Sequence, residues 1–137
     1  MARQRRALIH LTCLLTAFVL FHSNAQGSKE ASPIETLRFG EVTDRNVWPT
    51  GLSLSFEGKA GMVITLKVTS KTTAGGFDPF VRLIDPEEKE EASDDDSGGQ
   101  GNCLIKDHAL KKNGLYHVFI AGEDNKEGEV EVLLTKE

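Results

Sequence analysis

The sequence predicts an all-β protein, an antiparallel two-sheet β-sandwich of jelly-roll type with about eight short strands. Three observations carry this. Apolar and polar residues alternate with period two in several separate stretches, the pattern of a strand with one buried face. Clusters of Gly, Pro, Asn and Asp punctuate those stretches and read as turns. No stretch sustains the 3.6-residue apolar period of an amphipathic helix. At 137 residues the chain has room for one domain.

The first 25 residues stand apart. Arg3, Arg5 and Arg6 precede an apolar run over 7–21, and Ser23-Asn24-Ala25 follows it. A basic start, a short apolar run and a small-x-small site make a signal peptide over 1–25, cleaved after Ala25. The run is shorter than the roughly 20 residues that span a bilayer. Residues 26–33, small and polar up to Pro33, read as a flexible lead-in, and the domain occupies 34–137.

Within the domain, a first strand is expected over 34–39. Residues 40–51 contain Pro49 and several turn formers and read as a loop, with Val42 and Trp48 folded against it. Leu52, Leu54 and Phe56 then alternate with Ser53, Ser55 and Glu57. After a Gly-flanked hairpin, Met62, Ile64, Leu66 and Val68 alternate with Val63, Thr65, Lys67 and Thr69. Asp78-Pro79 opens the next strand and Asp85-Pro86 closes it, since proline cannot donate to a ladder. Val81 and Leu83 share one face there, and Arg82 points the other way. A weak charged strand at 90–93 leads into the acidic, Gly-ended loop 94–99. The strand at 103–110 has two readable registers: Leu104, His108 and Leu110 share one face, Cys103 and Ile105 the other. Tyr116, Val118 and Ile120 line one face of the strand at 115–121, and Val130, Val132 and Leu134 one face of the last. The expected core holds Leu54, Phe56, Ile64, Leu66, Val81 and Leu83 from the first half, and Tyr116, Val118, Val132 and Leu134 from the second. A buried Tyr116 ring requires a partner for its hydroxyl.

The order Asp78-Pro79, Val81, Leu83, Asp85-Pro86, Ala92-Ser93, Asp94-Asp95-Asp96, Gly98-Gly99, with the later Gly114-Leu115-Tyr116-His117-Val118, resembles the bacterial pre-peptidase C-terminal domain over residues 37–135. The resemblance implies a secreted β-sandwich of the kind attached to extracellular peptidases. Related modules in clostridial collagenases bind collagen, so the resemblance also implies binding of an extracellular protein or polysaccharide. The second reading is an accessory or chaperone module for a separately encoded secreted peptidase or other hydrolase. The chain departs from the family pattern at Glu91, where an apolar residue is usual, and around Asp44 and Trp48, which are displaced.

Loss of Arg3, Arg5 and Arg6 with the signal leaves 13 basic against 21 acidic residues, a formal charge of −8. Phosphate binding needs a basic face, so nucleic acid is excluded as a partner, and no membrane contact is expected after cleavage. A monomer, secreted or periplasmic, is expected. Cys13 leaves with the signal, so Cys103 has no disulfide partner and reads as a buried small hydrophobe.

Asp96-Ser97-Gly98-Gly99 is similar to the tail of the chymotrypsin-like nucleophile motif. However, Asp95 stands where glycine should, and His108 and His117 both lie downstream of the serine. No enzyme and no catalytic residue is expected. His108 reads as a core histidine satisfied by backbone, and Glu87, Glu88, Glu90 and Glu91 as a solvated hairpin. No zinc set and no phosphate loop is present. The one candidate metal set is Asp78, Asp94, Asp95 and Asp96, hard oxygen ligands suited to Ca²⁺. The spacing excludes an EF-hand. The candidate ligand-binding residues are the aromatics Trp48, Phe80 and Phe119, expected exposed.

Overall fold

A pleated strand with one apolar face is stable only when it pairs into a sheet and packs that face against another layer. The computed structural model describes residues 34–72 and 76–137. The expected signal peptide, 1–25, and lead-in, 26–33, lie outside the described residues. In chain order the strands are β1 (Glu35–Thr36), β2 (Val42–Val47), β3 (Leu52–Gly58), β4 (Val63–Ser70), β5 (Pro79–Ile84), β6 (Glu90–Asp94), β7 (Cys103–Ala109), β8 (Gly114–Gly122) and β9 (Gly128–Lys136). A single 3₁₀ turn, Glu123–Asn125, joins β8 to β9.

The strands form two sheets. One has the order β1-β3-β8-β5-β6, the other β2-β9-β4-β7. Every pairing is antiparallel except the short β1, which runs parallel to β3. The inner faces meet in one core. All ten expected core residues are buried, none more than 1% exposed: Leu54, Phe56, Ile64, Leu66, Val81, Leu83, Tyr116, Val118, Val132 and Leu134. Phe56 stacks on Tyr116 with centroids 5.5 Å apart. The fold is thus the all-β two-sheet sandwich that period two predicts, with nine strands among the described residues rather than about eight.

The extra strand is β2, inside the expected loop. Of its six residues only Val47 is buried, so the stretch carries no apolar alternation. Backbone pairing with β9 makes it a strand, from Val42 opposite Leu133 to Val47 opposite Gly128. The first strand is correspondingly shorter than 34–39: two residues pair, and Leu37 N then donates to Ser55 O at 2.7 Å.

The open register of β7 has a physical cause. Ile105 pairs with Leu66 and His108 with Ile64, so two residues of β7 oppose Thr65 alone. This is a β-bulge. Asp107 within it has φ +47°, and its N–H donates to Thr65 Oγ1 at 3.1 Å. The bulge resets the alternation. Cys103 and Ile105 are buried before it, Leu110 after it. Each sequence face therefore supplied part of the true inner face.

Phe77 was not among the expected core residues, yet it is 5% exposed. Its ring fills the space over Gly122 and Gly128, where an added Cβ would overlap it. Ion pairs close both open sides of the sandwich. Arg45 of β2 reaches Glu35 of β1 at 2.5 Å, and His108 of β7 reaches Glu91 of β6 at 2.9 Å.

Candidate functional site

The outer face of the five-stranded sheet carries Phe80 and Phe119, which are half-buried rather than exposed as expected; of the three candidate aromatics only Trp48 is exposed. Alternation along β5 turns Val81 and Leu83 inward, so Phe80, Arg82 and Ile84 project outward. Phe119 of β8 lies opposite Arg82 in register. The Phe80 and Phe119 rings stand 6.3 Å apart, tilted 58° to one another. The Arg82 guanidinium lies over the Phe80 ring at 5.3 Å, and its Nε is 3.5 Å from Glu90. Phe119 can lie flat at the sheet end because residue 51 is glycine. Its φ is +85°, and an added Cβ would overlap the ring.

Beside Phe80 runs an open groove of about 450 Å³, lined by Phe80, Val81, Arg82, Glu90, Ser93, Asp94, Asp95 and Glu123. Trp48, 58% exposed, borders a separate depression of about 350 Å³ with Asn46, Val47 and Glu127–Glu129. Of the three aromatics expected to bind ligand, Phe80 and Phe119 come together, and Trp48 sits apart. The outward partners Arg82 and Ile84 were legible from period two. Glu123 was not, because it enters the groove from the turn after β8.

Asp78 and the loop after β6 share one end of the sandwich. Asp94 is committed: Oδ2 accepts from Ser97 N at 3.1 Å and Leu104 N at 2.7 Å. Asp95 Oδ1 accepts from Asp96 N at 2.9 Å. Asp78 Oδ1 is buried with no hydrogen-bond partner among the described residues. The pKa of Asp96 is raised above its ordinary value, chiefly because the Asp78 charge faces it, then through partial desolvation and the charges of Asp95 and Asp94. Among the described residues no three His, Cys or acidic side chains are gathered to hold a metal ion. Two carboxylates, Asp78 and Asp96, remain uncommitted. Cys103 lies behind this cluster, fully buried, with Sγ 3.0 Å from Pro79 O. Burial, and after it the four nearby carboxylates, pushes the thiol up to about 12. It is held protonated, the opposite of what a nucleophile needs.

The other end of β5 is fully paired. Asp85 Oδ1 accepts from Glu87 N at 2.8 Å and Lys89 N at 3.0 Å, and Lys112 Nζ reaches Oδ2 at 2.6 Å. The Lys112 hydrogen bond, with the two backbone donors, outweighs desolvation and brings the carboxyl down to about 2. Lys112 N donates to the Tyr116 hydroxyl at 3.0 Å, which supplies the partner that burial demands.

Glu91 corrects the solvated-hairpin expectation. Its side chain is 3% exposed and takes His108 Nε2 at 2.9 Å, Lys111 N at 3.2 Å and the Tyr116 hydroxyl at 3.3 Å. His108 is thereby satisfied by a carboxylate rather than by backbone. The position where an apolar residue is usual holds a buried polar knot instead.

No family model matches the chain, and no curated protein matches it in sequence. Solved structures do match. The pre-peptidase C-terminal domain of collagenase from Bacillus anthracis superposes with a TM-score of 0.59 at 13% identity, covering 74% of this chain and 94% of that one. Aeromonas hydrophila PliG, a periplasmic inhibitor of g-type lysozyme, superposes with a TM-score of 0.54 at 12% identity, covering 76% and 96%. At such identities the likeness is one of fold. The chain has the fold of a pre-peptidase C-terminal domain, as its motif order implied. Among the described residues no helix is long and apolar enough to cross a membrane.

Proposed function

We propose that this chain is a non-catalytic β-sandwich module, exported from the cytoplasm, that binds a protein there through the outer face of its five-stranded sheet. The observation that carries this is the Phe80–Phe119 pair, two adjacent half-buried aromatic rings on a sheet face that no described element covers. Phenylalanine and arginine are both enriched at protein interfaces relative to the rest of the surface. The 58° tilt between the rings favours a protein over a polysaccharide, whose sugar rings stack best on coplanar platforms. A fold shared with an inhibitor of g-type lysozyme supports a protein target. An accessory role toward a separately encoded hydrolase differs only in who the partner is.

The non-catalytic reading is supported by the Cys103 thiol, which is buried and held protonated and so is no nucleophile. The acidic end is proposed as a weak calcium site centred on Asp78 and Asp96.

The test is capture from the exported fraction of the source cells. The exported protein and its Phe80→Ser/Phe119→Ser variant are immobilised side by side, with thermal melts confirming that both fold. A partner retained by the first and lost by the second is expected. Identical captured sets would overturn the assignment of this face.

A further inference from the structure

We propose that the groove beside Phe80 receives a cationic segment of the partner protein, a lysine or arginine whose stem lies on Phe80 and whose charge meets Asp95 and Glu123. This rests on the reading that the aromatic face binds a protein, and it names the chemistry of that partner.

The groove carries four carboxylates, Glu90, Asp94, Asp95 and Glu123, against one cation, Arg82. That cation is already used, since Arg82 pairs with Glu90 and covers one part of the Phe80 ring. Asp94 is engaged by two backbone donors. Asp95 and Glu123 have no ion-pair partner among the described residues. The unbalanced charge therefore lies at one end of the groove, next to an apolar wall. A cleft lined by one sign of charge with low-dielectric walls focuses its field on an incoming counter-charge.

Lysine and arginine fit both features, because their stems cover apolar surface while the head stays at the polar edge. Phe80 already takes a guanidinium against its ring, so a second cation there repeats a contact the fold makes itself. An acidic segment would be repelled, and a neutral sugar would leave the carboxylates unpaired.

The experiment titrates the full exported protein, by amide NMR shifts, with an alternating Lys-Gly peptide and with its Glu-Gly counterpart. Saturable binding of the Lys peptide is expected, lost at high salt, with shifts centred on residues 80–82, 93–95 and 123. Glu90→Gln/Asp95→Asn/Glu123→Gln should weaken it by about tenfold or more, the scale on which charge in a cleft acts. Glu41→Gln/Glu127→Gln/Glu137→Gln removes as much charge elsewhere and should leave it unchanged. Equal weakening by both triple variants, shifts outside the groove, or no binding at low salt would each overturn the proposal. Capture of the natural partner separates this from the parent reading. If the groove triple variant captures it normally while Phe80→Ser/Phe119→Ser does not, the face stands and the cationic segment falls.

Discussion

Strand β5 begins and ends with the same dipeptide, and the two ends behave oppositely. Asp85-Pro86 closes the strand with a carboxylate that meets two backbone N–H groups and Lys112, and its pKa falls to about 2. Asp78-Pro79 opens it with a carboxylate whose Oδ1 is buried without a partner among the described residues and whose charge raises the pKa of Asp96. The proline does the same work at both, ending a ladder. The aspartate does not. At one end it holds a corner together, and at the other it belongs to an acidic surface that borders the aromatic groove. Buried polar groups are normally satisfied, so the satisfied end reads as architecture, and the other is the end for which a calcium ion is proposed.

The largest effect calibrates the strand between the two ends. Leu83 is fully buried, so Leu83→Ala should cost about 2–5 kcal/mol in urea melts. Arg82→Ala, facing out, should cost under about 1 kcal/mol. Equal losses would mean that β5 does not present its faces as described.

The next effect separates the ends. Asp85→Ala removes three hydrogen bonds and leaves Lys112 only its more exposed partner Glu87, so its melting point should fall well below that of Asp78→Ala, which removes none among the described residues. A folded-state pKa lowered from 3.8 to about 2 contributes stability that is present above pH 4 and lost as pH falls toward 2. Asp85→Asn keeps an acceptor for Glu87 N and Lys89 N but cannot titrate. Its stability should be lower at pH 7 and flatter between pH 4 and 2 than that of the wild type. Parallel profiles would remove Asp85 from the acid transition. At the same corner, Tyr116→Phe leaves Lys112 N without its acceptor and should cost about 0.5–1.5 kcal/mol.

The difference between the ends was only half legible. Period two exposed the inner faces of β3, β4, β5, β8 and β9, because the buried apolar residues of each recur at every second position. It failed at β2, a strand made by pairing with almost no burial, and at β7, where the Asp107 bulge reverses the alternation midway. Glu91 was hidden for a different reason. It sits among exposed glutamates, and its burial depends on His108, 17 residues away, and Tyr116, 25 residues away. The candidate site divides in the same way. Phe80 and Phe119 were legible as outward aromatics, but local alternation says nothing of which strands are neighbours, so Trp48 was grouped with them. Two identical Asp-Pro dipeptides carry no sign of which will meet a lysine, because Lys112 arrives from the far side of the sandwich sequence.

The smallest effect tests the unsatisfied end. A carboxyl whose folded-state pKa is raised binds protons more readily folded than unfolded, so its ionisation lowers stability as pH rises. Asp96→Asn should therefore raise the melting point at pH 7, and the gain should disappear below the unfolded carboxylate pKa of about 3.9. Calcium should relieve the same repulsion. Two uncommitted carboxylates make a poor cage, so the dissociation constant should lie within the range of about 10⁻⁴ to 10⁻³ M seen for extracellular modules. At a calcium concentration equal to that constant the stabilisation is only about 0.4 kcal/mol, and it grows with the logarithm of concentration. Melts in calcium, in magnesium and in chelator should show a small calcium-specific rise in the wild type and none in Asp96→Asn, where the repulsion is already gone. A wild type that melts identically in calcium and in chelator would leave protonation as the only relief for this end. The contrast with Asp85 would then be between a paired carboxylate and a merely strained one, with no ion in waiting.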